Sequence, residues 1–516
     1  MSNTGESKKQ VSTINRFSIG SAAILQIALA IVAVVALNFL SCTNHKRLDL
    51  SRHTDFSLAE TSLQYLQSPE VKERSQAIKI IAVVKQSSPY YLRIKAQLEN
   101  YRRHSNNAIV VEHIDPIHDR DRLLEFTTTY QRKIAAESIL IDARDAEEDD
   151  AAPDLVKHIR SFSVDSLFTQ EIDRFHKKYI SSWNDEAIIT TSLVSAVEGT
   201  PRRFYFIVDK ARIDEQSKGT PAWKNFQRML NEQNIELLPI QISNTSKIPD
   251  DAEGLAIIGP AFDFDPQEIA VLNEYWDRNS ASIFITLDPN AKLKNLKRFL
   301  REYGVTPLDN RIISKNKLGK TLTSARAFFS QGPEATLGLA HQSTKFDGPS
   351  LGLDIQLDND RLAIRNITPF PLIQAADGWW GESRYTEPNP SFNPREDQGI
   401  IQGAANPTPA HIAAAVVRGR LNSDKTSPLA SRLVVMGNTD FLRPENEREE
   451  LNQFLNSTVN WLAGREALIG VPPKSVLRQK ITLEPKHKSL IDRITLIYLP
   501  LGLLFIALIL WNSRRN

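Results

Sequence analysis

Two apolar runs without a charged residue, one near each end, constrain this chain more than anything else in it. The first extends from Phe17 to Leu40 and the second from Ile494 to Trp511. Roughly 20 apolar residues at about 1.5 Å per residue cross a bilayer core, so both are candidate membrane helices. A cleaved leader needs an apolar region of only about 7–15 residues and a small-x-small site. The first run is too long for that, and Phe39-Leu40-Ser41 is a poor cleavage site. Bulky Leu40 also argues against lipid attachment at Cys42. In the second run Pro500 would kink the helix without preventing insertion, and Trp511 sits where an interfacial aromatic belongs. Only Asn512 to Asn516 follow it, too few to cover it in a soluble core.

Two spans place both ends on one side. Lys8, Lys9 and Arg16 precede the first, and Arg514 and Arg515 follow the second, which by the positive-inside rule makes residues 1–16 and 512–516 cytoplasmic tails. Lys46, Arg47 and Lys488, on the opposite flanks, dilute that bias. The expected layout is a span at 17–41, extracytoplasmic residues to 493, and a span at 494–511. The middle section must fold by burial alone, because the chain has one cysteine, Cys42, and no disulfide framework is available within it. A formal charge of +2 with 41% hydrophobic and 24% charged residues is ordinary for a globular chain and gives no electrostatic case for nucleic acid.

Between the spans, β-branched apolar runs alternate with helical segments, the rhythm of an α/β protein with mixed or parallel sheets. Ser57 to Glu60 has capping-box spacing and predicts a helix carrying Leu58, Leu63 and Leu66. Strands are expected at 78–85, 108–115 and 138–144, with a helix around 90–104. The acidic stretch 145–154 reads as a loop closing an N-terminal α/β subdomain, 48–150. A second series, 160–464, has strands at 203–209, 235–242, 254–260, 281–289 and 431–437. Thr220-Pro221 and Asp265-Pro266 start helices between them, the second carrying Ile269, Leu272 and Trp276 inward. Further helices are expected at 409–418 and about 446–462. After about 310 the pattern loosens into short strands and loops, and residues 465–493 read as an extended stalk.

Several of these pieces, taken in order, resemble GldG-type proteins, the auxiliary subunits of gliding-motility and related ABC transport systems. They are RLDLSRHTDFSLAETSLQYLQS after the first span, the step Ile114-Asp115-Pro116, GLAIIGPAFDFDPQEIAVLNEYW followed by ITLDP, and RLVVMGNTDFL followed by FLNSTVNWLAGRE. The likeness is spread over nearly the whole chain. It implies an amidotransferase-like α/β ectodomain in a bacterial inner membrane, with a separate ATPase and permease as partners. The chain departs from the pattern at Asp209-Lys210-Ala211-Arg212, where many relatives have a Gly-His-Gly-Glu-like step, and at Asn279-Ser280, where a double glycine is usual.

Catalytic motifs are sparse. Ser314 to Thr321 ends like a phosphate loop but lacks its first glycine, and Gly419 to Thr426 has Asp424 where the second glycine belongs, so both read as surface turns. Amidotransferase chemistry needs a cysteine at a strand-to-helix turn; Cys42 lies beside the membrane run instead. There is no Gly-x-Ser-x-Gly elbow. His113, Asp115 and His118, with Asp119, form the best metal-like set, weighed against a polar strand end. Asp209, Gly259, Asp263, Asp288, Asn438 and Asp440 fall at predicted carboxyl ends of strands, where open α/β sheets bind ligands; Asp and Asn are also favoured there simply as caps. Trp379-Trp380 fits either a binding platform or a core corner. The sequence therefore points to a binding subunit without an enzymatic activity or cofactor, a membrane-tethered envelope hydrolase or transferase being the rival.

Overall fold

The computed structural model describes residues 25–36, 57–130, 134–145, 157–172, 176–211, 221–401, 408–419, 430–465, 468–469, 474–475 and 493–515. Residues 25–36 form a helix, α1, whose Leu25, Ile27, Leu29 and Val35 are all exposed. The acidic stretch 146–154 and the segment 420–426 lie outside the described residues, as does most of the stalk.

From Leu58 onward the chain is one unit built on two lobes. The N-terminal lobe starts with α2 (Glu60–Leu66), whose N-cap is Ala59 rather than Ser57, and α3 (Pro69–Lys72). Strands β1 (Ile78–Val83), β2 (Ile109–Ile114), β3 (Ser138–Asp142) and β4 (Ile159–Ser163) form a mixed sheet in the order β2-β1-β3-β4. The β1–β2 pair is parallel, joined through α4 (Tyr91–His104), and the other pairs are antiparallel. A hairpin, β5 (Phe168–Ile172) with β6 (Lys178–Trp183), leads into α6 (Asp185–Glu198), with α5 (Arg120–Thr129) lying earlier, after β2. Ile189, Leu193 and Ala196 of α6 share a core with Ile80, Ile109 and Ile141. The first lobe therefore runs to about Gly199, well past the acidic loop.

The second lobe begins with β7 (Arg202–Ile207), α7 (Pro221–Glu232), β8 (Ile235–Ile240), β9 (Gly254–Ile258), α8 (Pro266–Trp276), β10 (Ser282–Thr286) and α9 (Lys294–Glu302). Short pieces follow: β11 (Val305–Pro307), β12 (Arg311–Lys315), β13 (Thr321–Leu322), β14 (Arg326–Phe329), β15 (Ser343–Lys345), β16 (Leu353–Ile355), α10 (Asp360–Ile364), β17 (Ile367–Ala375), β18 (Trp380–Glu382) and β19 (Gln398–Gly399). It closes with β20 (His411–Arg418), β21 (Ser431–Met436) and α11 (Glu449–Leu462). The helix expected at 409–418 is instead β20, a strand hydrogen-bonded on both sides, to β17 and β21. Its Ala413, Ala414 and Ala415 have no exposed surface, and burial on both faces outweighs alanine's helix propensity.

The large sheet has eleven strands, with a main path β15-β14-β17-β20-β21-β10-β9-β7-β8. Its five strands β8-β7-β9-β10-β21 are parallel. Numbered along the chain they run 2-1-3-4-5, a doubly wound order whose reversal falls between β7 and β9. Successive side chains of a strand point to opposite faces. Phe204, Phe206, Phe284 and Val434 accordingly pack with α7 and α11, whereas Leu255, Ile283, Ile285 and Val435 pack with α8 and α9. The expected α/β class is thus observed, with mixed sheets in both lobes. Among the described residues no helix is long and apolar enough to cross a membrane.

Candidate functional site

The carboxyl edge of the five parallel strands collects the residues singled out above, and in the structure each has a local partner. Past β7, the Asp209 carboxylate accepts the backbone N–H groups of Ile242 (3.1 Å) and Ser243 (2.9 Å) after β8. Burial pushes its pKa up, but those donors together with the Ser243 hydroxyl outweigh that and hold it below the ordinary value. Asp263, after β9, accepts the N–H groups of Asn295 (2.9 Å) and Leu296 (3.2 Å) in the first turn of α9. Neutralising these otherwise orphaned donors is ordinary capping. Asp288, past β10, accepts the N–H of Asn290 at 2.8 Å in a turn.

Asn438, past β21, is fully buried. Its amide nitrogen donates to Ser350 Oγ (2.9 Å) and to the carbonyls of Asp347 and Pro349, and its Oδ1 accepts the N–H of Phe441 at 2.9 Å. Asp440 pairs with Arg443 at 2.7 Å. Gly259 adopts φ +53, and a Cβ on it would lie 2.8 Å from Thr439 Cγ2, so glycine is required twice over. Its N–H donates to Thr286 Oγ1 at 3.0 Å, and the Thr286 and Thr439 hydroxyls are 2.9 Å apart. Strands β9, β10 and β21 are thus stitched together at their ends.

The reversal point between β7 and β9, where a ligand would enter, is spanned by protein. The Lys210 carbonyl accepts the N–H groups of Ala261 (2.7 Å) and Phe262 (3.2 Å), and Ala211 forms a β-bridge with Pro260. Beneath them Lys210 Nζ lies 2.7 Å from Glu268 Oε2, both side chains largely buried. Glu268 also accepts the N–H of Asp265 at 2.7 Å as half of a capping box on α8. Glu268, Thr286 and Thr439 were not singled out from the sequence, and Lys210 was named only within the departing step Asp209-Lys210-Ala211-Arg212. The Asp265-Pro-Gln-Glu268 step reads as a cap and says nothing of the lysine.

The histidine set is only partly assembled. Asp115 accepts the N–H groups of Gln86 (3.0 Å) and Ile117 (2.8 Å), and His118 Nδ1 lies 3.1 Å from its Oδ2. The Gln86 N–H, the Ile117 N–H and His118 bring its pKa down to about 2. Asp119 turns back to accept the Asp115 N–H at 2.9 Å. His113 stays apart, edge-on to Tyr91 with ring centroids 6.0 Å apart. Burial, then Lys95, lowers its pKa. Among the described residues no group of three or more His, Cys, Asp or Glu side chains is placed to hold a metal ion.

Trp379 and Trp380 occupy the core corner, each 6% exposed, with the Trp380 indole N–H donating to Glu382 at 3.0 Å. Ser314 to Thr321 is a tight β12–β13 hairpin in which Asn316 Oδ1 accepts the N–H groups of Leu318 and Lys320.

No family model matches the chain, and no curated protein does. Among the solved structures it is similar to the mmIFT52 N-terminal domain (14% identity, TM-score 0.34, 50% of this chain and 96% of that one). It is also similar to a ThuA-like protein from Bacteroides uniformis (10%, TM-score 0.28, 51% and 92%) and to a GMP synthase subunit from Thermoplasma acidophilum (12%, TM-score 0.25, 50% and 94%). With every TM-score below 0.5, these likenesses carry no argument for what the chain does.

Proposed function

We propose that this chain is a membrane-anchored, non-enzymatic auxiliary subunit of an ABC-type transport system, of the kind that GldG-type proteins exemplify. Its amidotransferase-like α/β lobes lie outside the cytoplasmic membrane and bind a transported substrate or an envelope partner. A permease and a separate ATPase supply the channel and the energy. Spans at 17–41 and 494–511 hold it in the bilayer.

One observation carries the reading: both terminal helical segments display their apolar side chains outward. Leu25, Ile27, Leu29 and Val35 on α1, and Leu501, Leu503, Leu504 and Phe505 on the helix Leu499–Arg515, are each more than half exposed. Contiguous apolar surface of that kind on a chain otherwise well packed calls for lipid or protein to cover it. A π-helical turn, Ile494–Tyr498, runs directly into Leu499–Arg515 and lengthens the helical stretch.

The test is gentle detergent extraction of the tagged full-length chain, followed by mass spectrometry of what stays bound. Recovery of an ATPase and a multispanning permease in fixed ratio is the expected result. Recovery of the chain alone, repeatedly and in several detergents, overturns it.

A further inference from the structure

The stretch expected to be a free stalk begins with residues that are docked. Arg465, itself buried, donates from Nε to Glu198 Oε1 at 3.0 Å and from Nη2 to Glu198 Oε2, at the C-terminal end of α6. Leu468 packs against the N-terminal lobe's core and Ile469 enters the core of the second lobe. Lys474 and Ser475 then form β22, antiparallel to β6 opposite Trp183 and Ser182. Lys474 Nζ reaches Glu186 Oε2 at 3.1 Å, in the first turn of α6, with both side chains at 10% exposure or less. The fourteen residues of α6 cover about 21 Å. Nine residues of extended chain reach about 30 Å, so Arg465 and Lys474 can sit at opposite ends of α6, as their contacts with Glu198 and Glu186 require.

The other oxygen of Glu186 is occupied too. It accepts the N–H of Ala59 at 2.6 Å, where the folded unit begins. One buried carboxylate therefore holds the chain where it enters the N-terminal lobe and where it leaves.

We infer that Arg465, Leu468, Ile469, Lys474 and Ser475 fasten the chain to the N-terminal lobe as a strap, with Glu186 as its anchor and Lys474 as its positioning residue, which couples movement of the C-terminal apolar helix to that lobe at the chain's own entry point. The source of that movement, though not the strap, rests on reading the two ends as membrane spans. A buried ion pair is the right fastener for such a part. It gives register and direction, and losing one partner leaves a charge that burial penalises.

The experiment uses the full-length chain in membranes, with Cys42→Ser, Ser182→Cys and Ser475→Cys. Directly opposed antiparallel residues have Cα atoms about 4.5–5.5 Å apart, within disulfide range. Mild oxidation is expected to join the two cysteines within one chain, read as a linked peptide by mass spectrometry. Adding Lys474→Ala is expected to lower the fraction of chains with the strap docked about a hundredfold or more, as loss of one partner of a buried pair predicts, and with it the yield, and Lys474→Arg to restore most of it. Failure of the parent pair to join, or a yield indifferent to Lys474→Ala, overturns the strap. Hydrogen exchange in the unaltered chain is a second readout: one of the backbone amides of Lys474 and Ser475 should exchange slowly, and free exchange at both is equally fatal. The same preparation separates the two claims. A linked chain that brings down no permease or ATPase keeps the strap and loses the transport reading, and an unlinked chain that brings them down does the reverse.

Discussion

Replacing Lys210 by methionine tests the closed reversal point most directly. Lys210 and Glu268 are 2.7 Å apart with side chains 11% and 7% exposed, and methionine keeps most of the volume while removing the charge. Breaking a buried pair by deleting one partner costs roughly 3–5 kcal/mol. Glu268 retains the N–H of Asp265, which places the expected loss near the lower bound, about 3 kcal/mol. At about 2–4 °C per kcal/mol for a domain of this size, the melting point should fall by roughly 6–12 °C. Adding Glu268→Gln removes the stranded charge and keeps an acceptor for the capping box, so the double variant should return to within about 1 kcal/mol of the parent. The assay is urea unfolding of the detergent-solubilised chain followed by tryptophan fluorescence, since Trp223 and Trp276 lie on α7 and α8. A single variant within about 0.5 kcal/mol of the parent would refute the argument. So would a double variant that loses the sum of the two single effects, because the two groups would then be acting independently.

The remaining expectations use the same unfolding assay. Phe284→Ala deletes a fully buried ring stacked on Phe226 at 5.2 Å and should cost about 3–5 kcal/mol; a loss under about 1 kcal/mol would mean the core between the sheet, α7 and α11 is not packed as described. Gly254→Ala puts a Cβ 2.5 Å from the Phe204 ring across the β7–β9 pair, for an expected loss of about 1–3 kcal/mol from overpacking. Stability should fall with acid in two windows. Burial holds the pKa of His113 and of His411 below the ordinary value, so the unfolded chain takes up protons first and stability drops as pH falls below about 6.5. The pKa of Asp115, lowered to about 2, makes a contribution that is full above about pH 4 and lost as pH falls toward 2. Urea midpoints across pH 7.5 to 2.5 should show both windows, the upper flattened by His113→Gln with His411→Gln and the lower by Asp115→Asn.

The strands that the sequence makes plain are those buried on both faces. Ile78–Val83, Gly254–Ile258, Ser282–Thr286 and Ser431–Met436 read as short apolar runs because two helical layers cover them. The starts of α7 and α8 were legible in Pro221 and in Asp265-Pro266, since capping chemistry is local. His411–Arg418 was not legible, because alanines forced between two neighbouring strands look like alanines in a helix. The candidate edge was readable as a set of strand ends. What those residues do there depends on partners supplied by folding, such as Asn295 for Asp263 or Ser350 for Asn438. The strap was the least visible part. Arg465 answers to Glu198 across 267 positions of sequence, and nothing local in a polar stretch marks it as docked.

The open edges of the large sheet bear on how closely copies of this chain can crowd together. A sheet that does not close leaves two rows of unpaired backbone groups, each a template for a second chain. Here β8, at one end, carries Pro239, which has no N–H to offer, and exposed Glu236. At the other end β15 is three residues long, Ser343–Lys345, and Lys345 is paired with Asp347 at 2.6 Å. Off the main path β11, the remaining border, is three residues long and ends in Pro307, so none of the borders offers a long apolar strand to a neighbour. Copies at high concentration can therefore collide without stacking into ribbons, and contacts between them fall to their side-chain surfaces, where specificity can be chosen.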